Sequence, residues 1–439
     1  MRQSVINRCF IKTLIFWSLR LAESVAVVGI LFAAAHIAPT HFAATQIAAT
    51  QIAATQIAAT QNVSADSSSY GRRGIHNLLT NVWLPGGESQ VTWVNLGDTG
   101  STASLRGLCA TDDQVLWSCG ANGVVVRSRD GGKHWQKCGP LQFQSLEFRS
   151  IHAWDQDNAC IASAGTPAVI LKTTNGGKDW RLVYTCDAAA AFINALRFYD
   201  GTHGLAFGDP IDGRTLIVES HDGGDSWQPI DSDSIPQANE SEAGFAASNS
   251  ALSCERSGWA LIGTGGTQAE SCRIYLRSKD QTAWQTTLCP LISGPSKGIF
   301  SITSLQTDVS QTERDSSGTL AKFVAVGGDY MPGAVSRTTA AYSLDGLTWK
   351  LATTQPPGFR SAVISLPKPI PTSQGQDSNN WRLLATGPTG TDMSADGIVW
   401  QNVSNGGFHA LSSGRTRVFA CGANGKVSVL QIRSMTDTP

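Results

Sequence analysis

Three segments of the 439-residue chain set an arginine between an apolar residue and a small one: Leu105-Arg106-Gly107, Phe148-Arg149-Ser150 and Phe359-Arg360-Ser361. Leu196-Arg197-Phe198 is a looser copy, and Phe408-His409-Ala410 puts His409 where the others carry arginine. A guanidinium is a planar fork that grips a carboxylate or phosphate through two parallel hydrogen bonds. If Arg106, Arg149, Arg197, Arg360 and His409 stand at equivalent places in a repeating architecture, they form a partial cationic ring able to hold an anionic partner. The same side chains could instead pair with acids of neighbouring units, such as Asp155, Asp209 or Asp329, and weld those units together. The sequence leaves both readings open. Asp209, in Gly208-Asp209-Pro210, and Asp329, in Gly328-Asp329-Tyr330, are expected on the same face as the cations.

Other chemistries have weaker support. The ten cysteines include no Cys-x-x-Cys pair, which removes zinc-ribbon and thioredoxin-type sites. Cys9 falls in a leader, so an odd number remains in the mature chain: at least one thiol stays free or pairs between chains, or the cysteines serve as small buried apolar residues. The eight histidines are scattered, and no His/Asp/Glu spacing suggests a metal site. Gly263-Thr264-Gly265-Gly266 follows a strand pattern, but Gln268 stands where a dinucleotide fingerprint needs its third Gly or Ala. The net charge of −1 lacks the positive concentration of a nucleic-acid binder. With 15% charged residues, 44 glycines and 13 tryptophans, the composition suits short strands and tight turns, hence an all-β protein.

An internal repeat supplies the elements that must position these residues. The fullest copies are Ser128-Arg129-Asp130-Gly131-Gly132-Lys133-His134-Trp135, Thr173-Thr174-Asn175-Gly176-Gly177-Lys178-Asp179-Trp180 and Ser220-His221-Asp222-Gly223-Gly224-Asp225-Ser226-Trp227. Shorter ones are Ser278-Lys279-Asp280 with Trp284, Ser343-Leu344-Asp345-Gly346 with Trp349, and Ser394-Ala395-Asp396-Gly397 with Trp400. Hydroxyl and carboxylate side chains that bond nearby backbone N–H groups close such a turn, glycine supplies positive φ, and the tryptophan opens the next strand with a large ring to bury. The motif matches the Asp-box, or BNR, repeat.

A strand ending in glycine precedes each copy: those closing at Gly120, Gly165, Gly208, Gly263, Gly327 and Gly387, with a seventh at Gly422 that has no box after it. Cys119-Gly120-Ala121-Asn122-Gly123 even recurs letter for letter as Cys421-Gly422-Ala423-Asn424-Gly425. Seven such strands predict a seven-bladed β-propeller over 74–433, followed by a short tail, 434–439. The last blade runs out of chain one strand short. The early strand Gln90-Val91-Thr92-Trp93-Val94-Asn95-Leu96, with its tryptophan in the box-partner position, is expected to complete that blade and close the ring, protecting its edges. The boxes then occupy the third-to-fourth strand turns as structural staples. The arginines, at the starts of the innermost strands, lie toward the opposite face.

Residues 1–42 read as a signal peptide or signal anchor: Arg2, Arg8, Lys12 and Arg20 precede an apolar run from Val25 to Ala35. Residues 43–73 form a low-complexity linker in which Ile47, Ile52 and Ile57 recur every five residues, a spacing that gives no continuous apolar helix face. This pattern predicts an extracytoplasmic protein, periplasmic or secreted, with a membrane tether as one outcome.

The boxes, the seven blades and the repeated Phe-Arg-Ser starts resemble the photosystem II stability/assembly factor family of propellers, over nearly all of 86–433. Gly165-Thr166-Pro167 with its following box, and Gly208-Asp209-Pro210 with Asp212-Gly213, resemble non-photosynthetic bacterial members. The resemblance implies an assembly chaperone whose arginine-rich patch holds a client, matching Arg106, Arg149, Arg197 and Arg360 here. The expectation is a non-catalytic, monomeric scaffold binding a protein or peptide client, with membrane-associated clients included, no nucleic acid and no cofactor. The alternatives are a sialidase-like glycoside hydrolase, for which the six tyrosines and sparse glutamates are thin material, and an oxidoreductase with a cofactor on the channel face.

Overall fold

The computed structural model describes residues 89–189, 191–278, 280–305, 321–367 and 381–434. The expected leader with Cys9, the linker, the stretch 74–88 and the tail residues 435–439 lie outside them. The described strands build seven four-stranded antiparallel sheets, the blades of a β-propeller. Blades 1 to 6 are consecutive meanders over 105–137, 148–186, 193–229, 252–289, 297–351 and 362–404. Blade 7 takes three strands from 410–434 and its fourth from Ser89–Asn95. That early strand runs antiparallel to Val427–Ser434, with Trp93 opposite Leu430, so the expected closure is the one observed.

Seven clusters of buried apolar side chains fill the seams between neighbouring blades. Trp117, Phe148 and Ile161 belong to the seam of blades 1 and 2, and Leu105, Leu108 and Phe419 to the seam of blades 7 and 1. Each sheet is thus covered only by its neighbours, and the hydrophobic stabilisation, on the order of 2 kcal/mol per fully buried large side chain, is shared across seams. All nine described cysteines are free, and seven of them are buried, acting as small apolar filler.

The repeated turns do their work at these seams. In blade 1 the Ser128 hydroxyl accepts from the Gly132 N–H at 2.9 Å, and Asp130 Oδ1 accepts from the His134 N–H at 2.9 Å. The same pair of bonds recurs at Thr173/Asn175 and Ser220/Asp222, and in three-residue form at Ser343/Asp345 and Ser394/Asp396. The Ser278/Asp280 copy is degenerate: among the described residues its side-chain bonding is a long contact of 3.5 Å from the Asp280 N–H to the Ser278 hydroxyl. Each turn's tryptophan then packs back onto the preceding blade: Trp135 onto blade 7, Trp180 onto blade 1, Trp227 onto blade 2, Trp284 onto blade 3, Trp349 onto blade 4 and Trp400 onto blade 5. Trp93 fills the seventh place, packing on blade 6 and donating to Thr391 Oγ1 at 3.2 Å. At Gly177, with φ +78°, an added Cβ would come within 2.7 Å of Cys138 Cβ, so the turn must carry glycine to reach the neighbouring blade.

One connection leaves the ring plan. Between blades 3 and 4 the chain enters the centre, and blade 4 keeps only a three-residue inner strand, Leu252–Cys254. Asn249, at φ 60°, accepts from the Leu196 N–H of blade 3 and donates to the Ile151 carbonyl of blade 2, both at 2.8 Å. Ser248 donates to the Ser361 carbonyl of blade 6 at 2.6 Å, and the Ser250 hydroxyl meets that of Ser301, blade 5, at 2.7 Å. Residues 248–250 therefore tie four blades together across the channel.

Candidate functional site

The inner strands of blades 1, 2, 3 and 5 each carry a bulge that leaves one residue out of the ladder. Those residues are Arg106, Arg149, Asn194 and Phe300. In a bulge the extra residue loses its ladder partner and its side chain is re-aimed. His409 takes the corresponding place in blade 7: its N–H bonds the Cys421 carbonyl, and the next residue, Ala410, lies opposite Cys421 as Gly107 lies opposite Cys119.

Arg106, Arg149 and His409, from three consecutive blades, come together. Arg149 pairs with Glu147, donating one 2.9 Å bond to Oε2 while its Nε lies 2.9 Å from Oε1 out of line for a hydrogen bond, and it also donates to the Ala246 carbonyl of the crossing segment at 3.3 Å. Arg106 differs. Its side chain has no hydrogen bond or ion pair among the described residues, and its Nε is fully buried without a partner. Burial and then the nearby Arg149 charge lower its pKa, against a smaller opposing pull from Glu147. The His409 imidazole is likewise held below its ordinary value, first by burial and then by Arg106. Its Nδ1 lies 3.1 Å from the Leu105 carbonyl, so that nitrogen carries the proton and donates.

The other two arginines stand elsewhere. In blade 6, Ala362 lies opposite Thr386 and the Ser361 N–H bonds the Thr386 carbonyl, so Ser361, and not Arg360, is the counterpart of His409. Arg360 donates its N–H to the glycine of the preceding blade, as Leu105 and Phe408 do, and so inherits their core position. Its guanidinium is fully buried, paired through Nε with the equally buried Asp392 and donating to the Phe359 carbonyl at 2.9 Å. Burial raises the Asp392 carboxyl, and the Arg360 charge partly offsets it. The expected equivalence of the Phe-Arg-Ser copies thus fails in blade 6 by a one-residue slip. Arg197 sits three residues beyond the bulge row, opposite Leu205, in a row with Cys109, His152 and Cys254. Desolvation there lowers its pKa and that of His152, the latter to about 3.

The acids expected at this face are engaged locally. Asp209 accepts from Asn194 Nδ2 at 2.8 Å and from the Gly244 N–H at 3.0 Å, and burial raises its carboxyl despite both bonds. Asp329 accepts from Ser296 Oγ at 2.7 Å and from the Met331 N–H at 3.0 Å. Asp155 caps its own turn through the N–H groups of Asp157 and Asn158. None of the three pairs with the five predicted cations among the described residues.

An aromatic group, absent from the sequence expectations, completes the mouth. Phe300 stacks on Phe245 of the crossing segment at 4.1 Å between ring centres and meets Phe359 edge-on at 4.5 Å. Tyr330 caps the pair at 6.0–6.2 Å and is 48% exposed, beside Met331 at 52% and Val335 at 85%. The mouth therefore has a cationic side on blades 7, 1 and 2 and an aromatic side on blade 5. Such a surface matches an anionic group at one end of a ligand and apolar side chains at the other.

Residues 88–189 match the family model described as photosynthesis system II assembly factor YCF48. Over that stretch the chain is similar to this family, and its architecture is that of a seven-bladed β-propeller. Among solved structures, one titled YCF48 bound to D1 peptide is 15% identical, covering 79% of this chain and 98% of its own, with a TM-score of 0.52. YCF48 from Cyanidioschyzon merolae is also 15% identical over 78% of this chain and 98% of that one, at a TM-score of 0.49. The RRP9 WD40 repeats are 11% identical over 77% and 100%, at 0.48. No curated protein matches the sequence. At these identities the likeness describes the fold, and this propeller's own chemistry has to be read from its mouth.

Proposed function

We propose that this assembly-factor-like propeller is a non-catalytic, exported scaffold that holds a protein or peptide client at the channel mouth. In this reading Arg106 and Arg149 take a carboxylate of the client, and the Phe300–Tyr330 group takes an adjacent apolar side chain. The observation that carries it is Arg106, a half-buried arginine whose Nε is sealed from solvent without a partner and whose side chain makes no ion pair among the described residues. A desolvated cation of that kind costs stability unless something binds it, and a carboxylate supplies both the charge and the two acceptors. The crossing segment supports the reading by giving the site a floor tied to four blades, which is the preorganisation that recognition needs. The YCF48 structure solved with a D1 peptide supports the class of client. Export rests on the positive leader and apolar run of residues 1–42.

The test is fluorescence anisotropy with a library of labelled peptides bearing an aromatic residue near a free carboxyl terminus, alongside recovery of partners from membrane extracts. Binding should fall at least tenfold when the terminus is amidated, and Arg106→Glu should abolish both binding and recovery. Retention of peptide and partners by Arg106→Glu would remove the arginine mouth from the function. Turnover in a fluorogenic glycoside screen, lost in Asp209→Asn or Asp329→Asn, would replace the scaffold reading with a hydrolase. Cell fractionation of the full chain checks export.

A further inference from the structure

The opposite face of the ring carries a second cluster, made by blade 3. His203 sits in the turn between the first and second strands, Glu219 near the end of the third, and His221 inside the repeated turn after it. In the hairpin register Leu205 lies opposite Glu219 and Gly204 opposite Ser220, which brings His203 level with His221. Glu219 and His221, two residues apart, share one side of the strand. His203 Nε2 is 2.7 Å from Glu219 Oε1, His221 Nε2 is 3.4 Å from Oε2, and the two imidazoles stack at 4.6 Å. One ligand atom from each residue lies within 4.8 Å of the others.

We propose that His203, Glu219 and His221 form a binding site for a divalent transition-metal ion. Ligand atoms on a tetrahedral zinc stand about 3.3 Å apart, given bonds of about 2.0–2.1 Å. The 3.4 Å from His221 Nε2 to Oε2 is close to that spacing, while the 2.7 Å from His203 Nε2 to the other oxygen, Oε1, is a hydrogen bond that would open by roughly half an ångström as the carboxylate turns to the ion. Two imidazoles with one carboxylate suit zinc, nickel or copper, and are a poor set for magnesium or calcium, which prefer all-oxygen shells. Arg277 of blade 4, 8% exposed, donates to Glu219 Oε1 at 2.7 Å and orients the carboxylate from behind, as outer-shell partners of metal ligands do.

Three protein ligands leave a position open, and here it faces a groove of about 690 Å³ between blades 3 and 4, bordered by Ser226, Gln228, Gln281 and Thr282. The charges of Glu219 and Arg277 cancel, so a bound dication keeps its full charge toward the groove and favours an anionic oxygen ligand there. The site stands at the repeated-turn end of the strands, away from the arginine mouth, and its success or failure leaves the client proposal untouched. Sequence spacing gave no hint of metal binding, because the three residues converge through the hairpin register and not through a local motif.

Isothermal titration of the metal-free protein with Zn²⁺, and with Mg²⁺ as control, tests the site. Wild type should take one equivalent of Zn²⁺ and no Mg²⁺. His221→Ala, at a side chain 70% exposed, leaves the fold intact and should weaken zinc at least tenfold. The His203→Ala/His221→Ala double variant should lose it. X-ray absorption of the loaded protein should show a shell of nitrogen and oxygen with two imidazoles. No zinc uptake by wild type, undiminished uptake by His221→Ala, or sulfur in the shell from the cysteines would each overturn the proposal. Far-UV circular dichroism of each metal-free variant checks folding, and the His221→Ala arm decides alone if the double variant does not fold.

Discussion

Blade 1 opens on Leu-Arg-Gly and blade 6 on Phe-Arg-Ser, and the two arginines lead opposite lives. Arg106 lies in a bulge at the mouth, its Nε buried and unpaired. Arg360 lies one ladder step away from that place, sealed in the blade against Asp392. The difference is set by which backbone group meets the neighbouring glycine: Leu105 does so in blade 1, and Arg360 itself in blade 6. Side-chain direction in a strand inverts with each residue, so a slip of one moves a charge from a ligand surface into the core. A recurring triplet therefore says what a side chain can do, and register says where it does it.

The largest expected effect breaks this comparison at its buried end. Arg360→Ala leaves the Asp392 carboxylate uncompensated, and breaking a buried pair by removing one partner costs about 3–5 kcal/mol. Arg106→Ala removes an unpaired, partly desolvated cation and should leave stability unchanged or raise it, by up to about 1 kcal/mol. Urea unfolding of the two variants measures both. Equal losses would mean that Arg106 is a structural weld after all, and a small loss at Arg360 would mean that its ion pair is not formed in solution.

Why the fold was legible and the mouth only half so follows from the same distinction. Ser128, Asp130, Gly132 and Trp135 bond and pack within or next to their own turn, and that local chemistry is written in the sequence at each copy. Trp93 carried the same signal at the far end of the chain and fixed the closure. The positions of Arg106, Arg149 and His409 followed from counting strands. Arg197 and Arg360 were misplaced because bulges and one-residue slips leave no local signature. The Phe245–Phe300 stack was invisible because it depends on the connection between blades 3 and 4 entering the channel, and no pattern in residues 230–251 announces that path.

That connection gives the next test, since the mouth can differ from blade 6 only if its floor is fixed. Asn249→Ala strips the Leu196 N–H and the Ile151 carbonyl of their partner at a fully buried position. Each orphaned group costs about 1–3 kcal/mol, so a loss of about 2–4 kcal/mol in urea unfolding is expected. Peptide binding should weaken with it, since Arg149 donates to the same segment at Ala246. A variant that keeps full stability would show the crossing segment to be a passenger in the channel.

The smallest effect sharpens the comparison electrostatically. His409 is held below the ordinary imidazole value of about 6.5 by burial and by the Arg106 charge. A base whose folded pKa is depressed favours the native state above its unfolded pKa, and that contribution is lost as pH falls below about 6.5 toward the folded value. Arg106→Ala removes the second cause of the depression, so the His409 titration followed by NMR should move upward while burial still holds it below the ordinary imidazole value. Arg360→Lys, which keeps a charge beside Asp392 in the core, should leave the titration where it was. A carboxylate-bearing peptide bound at the mouth should raise it too, because a negative charge beside the imidazole favours its protonated form. If Arg106→Ala and Arg360→Lys move His409 alike, the two arginines share one field and the division between mouth and blade does not hold.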